Sequence, residues 1–134
     1  MEPNLAPRMI LVVEDSDLLH EIYDVVLLRY RLRGAVVLHA RDGLDALRLL
    51  IAHPEVDLIL LDLVMPAMDG LKFLRVRRQN PQLRAIPTVV VTTKGEQHMV
   101  AEAMAAGATE VLTKPLHTER LHAEIARLFP EPEP

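Results

Sequence analysis

Five short apolar runs punctuate this chain, and each stops abruptly at polar or turn-forming residues. Met9-Ile10-Leu11-Val12-Val13 ends at Glu14-Asp15-Ser16-Asp17, and Ala35-Val36-Val37-Leu38-His39-Ala40 ends at the turn Arg41-Asp42-Gly43. Asp57-Leu58-Ile59-Leu60-Leu61-Asp62 leads into a turn at Met65-Pro66. Ile86–Thr92 and Glu110–Thr113 complete the set, followed by Thr93-Lys94-Gly95 and Lys114-Pro115. Apolar residues at consecutive rather than alternate positions predict strands buried on both faces, as in a parallel sheet. Pro87 stands at the start of the fourth run, where a missing N–H does little harm.

Between the runs the apolar period lengthens to that of a helix. Leu18, Ile22, Val25, Val26 and Arg29 predict the inner face of a first helix, with Glu21, Asp24 and Arg31 outside. Ser16 or Asp17 would cap it, and Gly34 would stop it after Leu32. Leu44, Leu47, Leu50 and Ile51 mark a second helix, ended by His53-Pro54. Leu71–Arg78 is a third, opened by Asp69-Gly70 and closed by Asn80-Pro81. Val100, Ala103, Met104 and Gly107 give a fourth inner stripe, and Leu121, Ile125 and Leu128 a fifth, ended by Pro130. Residues 1–8 are expected to form a flexible leader, 9–129 one domain, and 130–134 a disordered tail.

Strand and helix thus alternate five times, which predicts an α/β domain: a doubly wound, five-stranded parallel sheet with five helices on its two faces. Right-handed crossovers restrict the topology, and the order 2-1-3-4-5 suits five strands. That order sets the first and third strands side by side, so Glu14, Asp15 and Asp62 would converge at one rim. Ligands bind at this carboxyl end of an open parallel sheet.

Composition narrows the function. The 134 residues suit a single domain with a real core. Apolar residues make up 50% and charged residues 25%, the balance of a globular rather than a disordered chain. A net charge of -4 argues against a nucleic-acid footprint, and Arg75-Val76-Arg77-Arg78 is expected to be a solvated helix face. The absence of cysteine excludes disulfides, zinc–thiolate sites and thiol catalysis. The first residues lack a signal peptide's apolar core, and no apolar run reaches membrane-spanning length, so the expectation is a cytoplasmic protein. The histidines at 20, 39, 53, 98, 117 and 122 show no metal-ligand spacing on one helix face and are expected at the surface or at helix ends.

Three acids at one rim repel one another and raise each other's pKa, a conflict that a divalent cation removes. Mg2+ suits the set, because it takes one or two carboxylates, keeps several waters and accepts a phosphate oxygen. Thr92 ends the fourth strand and Lys114 the fifth, so both are predicted at the same rim. Lys114 can pair with a carboxylate or steady a phosphoryl oxygen, and Thr92 can offer that oxygen a hydroxyl. An acid nucleophile, a metal, a lysine and a hydroxyl together make a phosphoryl-transfer site, where catalysis is mostly positioning and charge neutralisation. Taken singly, each residue has an ordinary explanation as a turn former, a helix cap or a solvated side chain. Four strand ends each supplying what one chemistry needs outweigh those explanations.

Val12-Val13-Glu14-Asp15, Leu61-Asp62-Leu63-Val64-Met65-Pro66 with Asp69-Gly70, Val91-Thr92 and Lys114-Pro115 resemble the motifs of response regulator receiver domains of two-component signalling. The resemblance runs from residue 9 to about residue 128 and implies a flavodoxin-like fold in a bacterial signalling protein. It implies that Asp62 accepts a phosphoryl group from a histidine kinase or a histidine phosphotransfer protein. Glu14, Asp15 and Asp62 would hold Mg2+ with the backbone carbonyl of Val64, while Thr92 and Lys114 contact the phosphoryl group. Pro115 would follow a cis peptide bond, which an X-Pro pair tolerates. The surface of the fourth helix, fifth strand and last helix would then change for a downstream target protein or output domain, with Glu96, Gln97, His98, Glu110, Glu119 and Arg120 as candidate contacts. The only catalysis implied is the domain's own phosphorylation and dephosphorylation, with no membrane and no direct nucleic-acid partner.

Three positions depart from the common receiver pattern. Val111 stands where an aromatic is frequent, so coupling by an aromatic flip lacks its ring. Thr93 stands where a smaller alanine is frequent. Val64, with Lys94, flanks the acceptor, and its apolar side chain is expected to disfavour an attacking water. Rival readings are a receiver cut from a longer regulator, a pseudo-receiver that only binds partners, and an aspartyl-phosphate hydrolase. The hydrolase would need a second acid two residues past the nucleophile, where this chain has Val64.

Overall fold

A computed structural model of the chain describes residues 6–93 and 98–130. The five predicted strands form β1 (Met9–Val13), β2 (Val36–Ala40), β3 (Leu58–Leu61), β4 (Thr88–Thr92) and β5 (Glu110–Thr113). All pair in parallel, in the order β2-β1-β3-β4-β5. The register sets Val13 beside both Ala40 and Leu61, so the residues after β1 and β3 leave the sheet together. Side chains alternate between two cores. Ile10 and Val12 face one side with Tyr23, Leu27, Leu121 and Ile125. Leu11 and Val13 face the other with Ala46, Leu50, Phe73, Leu74 and Ala103. Both cores are largely aliphatic, as the scarcity of aromatics requires.

Among the described residues, six helices surround the sheet rather than the expected five: α1 (Asp17–Val26), α2 (Leu28–Arg31), α3 (Gly43–Ala52), α4 (Gly70–Arg78), α5 (Val100–Ala105) and α6 (Thr118–Leu128). The expected first helix divides at Leu27, where the Tyr30 N–H bonds the Leu27 carbonyl in a tighter turn. The β-branched pair Val25-Val26 leads into the break, and such residues favour helix only weakly. Ser16 caps α1 through its hydroxyl, and Asp42 and Asp69 cap α3 and α4 through their carboxylates. Gly34, at φ 102°, ends the α2 segment in the left-handed region as expected.

The inner face of α1 is a correction. Leu18, Ile22 and Val25 point outward, at 64%, 38% and 72% exposure, while His20, Tyr23, Leu27 and Tyr30 are buried. Both sets recur at helical spacing, so periodicity could not choose between them. The His20 ring nitrogens and the Tyr30 hydroxyl find partners, which offsets the cost of burying them. Two of the six histidines are corrections too, since His20 and His122 lie in the core. His122 Nδ1 meets the Tyr30 hydroxyl at 2.9 Å. The arginine-rich stretch keeps the expected solvated face at Arg75 and Arg78 and departs from it at Arg77. Arg77 is buried and donates to the carbonyls of Gly107, Arg84 and Ile86, which ties α4 to the start of β4 and the end of α5.

Candidate functional site

Each element at the carboxyl rim ends where its sequence changes from apolar to polar. After β1 the Glu14 N–H continues the ladder to the Ala40 carbonyl at 3.0 Å, and after β3 the Asp62 N–H reaches the Val13 carbonyl at 3.0 Å. Those two bonds bring Glu14 and Asp62 together across strands that the chain visits 48 residues apart. Glu14 is 2% exposed and Asp62 7%, whereas Asp15 is open to solvent. One carboxylate oxygen from each of Glu14, Asp15 and Asp62 lies within 4.8 Å of the others.

Lys114 enters from the end of β5. Its Nζ lies 3.1 Å from Glu14 Oε1 and 3.4 Å from Asp62 Oδ1. Burial works against the ammonium, but the charge on Asp62 and the hydrogen bond that the lysine donates to Glu14 outweigh it and raise the lysine pKa above its ordinary value. Lys114 is therefore a fixed cation at neutral pH. Its backbone N–H bonds the Thr92 carbonyl at 2.6 Å, and Thr92 is fully buried at the end of β4. The Lys114-Pro115 peptide bond is cis. Nearby, burial and then the charges on Glu14 and Asp62 push the Tyr23 phenol well above its usual range, which keeps it protonated.

The turn after Asp62 is held by main-chain bonds. Gly70 N–H meets the Leu63 carbonyl at 2.9 Å, and Gly43 N–H meets the Met68 carbonyl at 2.8 Å. A β-carbon at Gly70 would stand 2.4 Å from the Asp62 carbonyl oxygen and 2.7 Å from Leu63 Cα, so only glycine fits. Ala67 takes a left-handed φ of 58°, uncommon outside glycine. Val64 and Thr93 are exposed, and Val111 is half-buried against the core on the α3 and α5 side of the sheet. Lys94, Glu96 and Gln97 lie outside the described residues. Of the other candidate contacts, His98, Glu119 and Arg120 are exposed and Glu110 is half-buried.

The donor set fits a hard divalent cation. Three carboxylates stand against one ammonium, which leaves an excess of two negative charges at a partly buried rim. The donors are all oxygen, as Mg2+ requires, and their spacing leaves room for bridging waters.

One contributor carried no sequence signal. The His20 ring, on the buried face of α1, reaches the Glu14 carbonyl from Nε2 at 2.6 Å. Its Nδ1 meets Nδ1 of His39 on β2 at 2.5 Å, and His39 Nε2 meets Asp24 Oδ1 at 2.9 Å. These partners are 6, 19 and 15 residues apart along the chain and share no motif.

A five-stranded doubly wound sheet with an acid cluster and a lysine at its switch point defines a class of small α/β domains that meet charged ligands at that rim. Residues 10–126 match the response regulator receiver domain, and the chain belongs to that family. It is 38% identical over 97% of its length to protein-glutamate methylesterase/protein-glutamine glutaminase 5 of Myxococcus xanthus, of which it covers 41%. It is 35% identical over 88% of its length to the phosphate regulon transcriptional regulatory protein PhoB of Klebsiella pneumoniae, of which it covers 50%. The chain thus spans half or less of these relatives. Among solved structures, the chemotaxis response regulator CheY4 of Vibrio cholerae superposes with a TM-score of 0.78 at 30% identity, covering 90% of this chain and 97% of that one. A response regulator from Chloroflexus aurantiacus gives 0.82 at 26% identity, covering 93% and 99%. Among the described residues, no helix is long and apolar enough to cross a membrane.

Proposed function

We propose that this receiver domain is a phosphorylation-dependent switch with Asp62 as its phosphoryl acceptor. The observation that carries the reading is the meeting of Glu14, Asp15, Asp62 and Lys114 at one rim. Mg2+, held there by Glu14, Asp15, Asp62 and the Val64 carbonyl, would neutralise charge on the carboxylates and the incoming phosphoryl oxygens. The donor is a phosphohistidine on a histidine kinase or histidine phosphotransfer protein. It docks against α1, whose exposed Leu18, Ile22 and Val25 form an apolar stripe starting beside the acid turn. An Asp62 carboxylate oxygen forms the new P–O bond as the donor's P–N bond breaks, and the leaving imidazole takes up a proton.

Lys114 then exchanges its contact with the Asp62 carboxylate for one with the phosphoryl group, and the Thr92 hydroxyl turns to the same group. Those shifts bias the α5–β5–α6 surface toward a partner, as one added charge biases a two-state element. Val111, half-buried without a ring, transmits the change by packing alone. The partner is a downstream target protein or an output domain of a longer regulator, and the only reactions catalysed are phosphorylation and dephosphorylation of the domain itself. The setting is the cytoplasm of a bacterium.

Incubation with a small phosphoryl donor and Mg2+, followed by intact-protein mass spectrometry, tests the reading. One added phosphoryl group in the wild type and none in Asp62→Asn is expected; equal labelling of both proteins would sink it. Val64 is exposed two residues past the acceptor and offers an attacking water no hydrogen bond. Val64→Asn is therefore expected to shorten the life of the phosphorylated state severalfold, and an equal or slower decay would count against that role.

A further inference from the structure

Every polar group of Glu14 has a partner. Its N–H is fixed by the Ala40 carbonyl, and its carboxylate by Lys114 Nζ at 3.1 Å and the Ser16 N–H at 3.1 Å. The remaining polar atom, the main-chain carbonyl, is held by His20. Carbonyl and N–H share one planar peptide unit, so fixing the Glu14 carbonyl also fixes the direction in which the chain enters Asp15. Asp15 is exposed, and its carboxylate depends on that entry direction to join Glu14 and Asp62.

His20 is itself held. Its ring stands edge-on to His39, with centroids 4.5 Å apart and an angle of 78°. His39 is fixed in turn by Asp24, one turn along α1 from His20. A chain of hydrogen bonds therefore runs from Asp24 through both imidazoles to the main chain of the acid turn, and it locks α1 against the edge strand β2. The Glu14 carbonyl and the Asp24 carboxylate only accept, so each imidazole directs an Nε2–H at an oxygen, which sets the ring's orientation, and the Nδ1–Nδ1 hydrogen bond between the rings requires a second proton on one of them. Groups that orient a metal site from behind in this way govern its affinity strongly; their loss typically weakens binding about 10–100-fold.

We infer that His20 is a positioning residue for divalent-cation binding, holding the Glu14–Asp15 peptide so that the three carboxylates meet, with His39 and Asp24 setting its ring. The inference rests on the reading of the acid rim as a Mg2+ site. A purely packing role for His20 would lower stability and leave the Mg2+ affinity of the folded protein unchanged.

Calorimetric titration of the full chain with Mg2+ separates the two. His20→Leu, which removes the donor, is expected to weaken Mg2+ binding about tenfold. His20→Gln places an amide N–H where Nε2 stood and should return affinity to within about threefold of wild type, as expected when the oriented donor is what matters. The ring nitrogen resonances of His20 should also shift when Mg2+ is added. Should His20→Leu fail to fold, His39→Leu replaces it, keeping the donor but freeing the ring, with a smaller weakening expected. Wild-type affinity in His20→Leu, or no rescue by His20→Gln, overturns the inference and leaves the Mg2+ site standing. Failure of the wild type to take up Mg2+ at all would overturn both.

Discussion

His122 is a base placed where its charged form is disfavoured. Burial first, and the neighbouring Arg29 guanidinium next, lower its pKa below the ordinary value of 6.5. The unfolded chain therefore binds a proton at a pH where the folded chain does not. Its contribution to stability is present above the unfolded pKa and is lost as pH falls through the lowered folded value. Chemical denaturation between about pH 7 and 5 should show stability falling, and His122→Gln, which keeps an acceptor for the Tyr30 hydroxyl, should reduce the fall. An unchanged pH profile in the variant would contradict this. Residues of two kinds meet at this scale. Asp62, Glu14 and Lys114 were legible because a charged residue closing an apolar run is conspicuous. His20 and His122 were not, because a histidine inside a helical pattern looks the same on either face, and only a partner distant in sequence makes its burial tolerable.

At the scale of elements, strand positions were clear and helix faces less so: α1 is turned, and in α5 Met104 and the following Gly107, expected inside, are exposed while Ala103 and Ala106 are buried. Short, continuous apolar runs mark strands whichever core each side chain enters, so β1 and β5 run as expected, from Met9 to Val13 and from Glu110 to Thr113. In α1 two stripes compete. The more apolar one, Leu18, Ile22 and Val25, is outside, and the one carrying His20, Tyr23 and Leu27 is inside. Equilibrium unfolding distinguishes them. Leu27→Ala should cost about 2–5 kcal/mol, because Leu27 is fully buried. Val25→Lys should stay within about 0.5 kcal/mol of wild type, as an exposed substitution does. The reverse ranking would return α1 to the orientation its hydrophobicity suggests. The exposed aliphatic stripe of α1 is the surface on which the docking role is proposed.

At the scale of the molecule, the sheet order makes the site. Glu14 and Asp15, Asp62, Thr92 and Lys114 follow or end four strands; parallel pairing puts those ends at one rim, and the order β2-β1-β3-β4-β5 makes β1 and β3 neighbours there. The same order puts His39 on the edge strand beside β1, under α1, where it can reach His20. The sequence by itself determined the strands, the sheet order, the acid rim and its lysine, because hydrophobic period and strand-end chemistry are local and a parallel α/β chain has few allowed topologies. Only the tertiary structure decided which face of α1 is buried, why Gly70 must lack a side chain, and that Arg77, His20 and His122 belong to the interior. Those outcomes depend on whether a buried donor or acceptor finds a partner across the sheet, and such pairings leave no periodic mark on the chain.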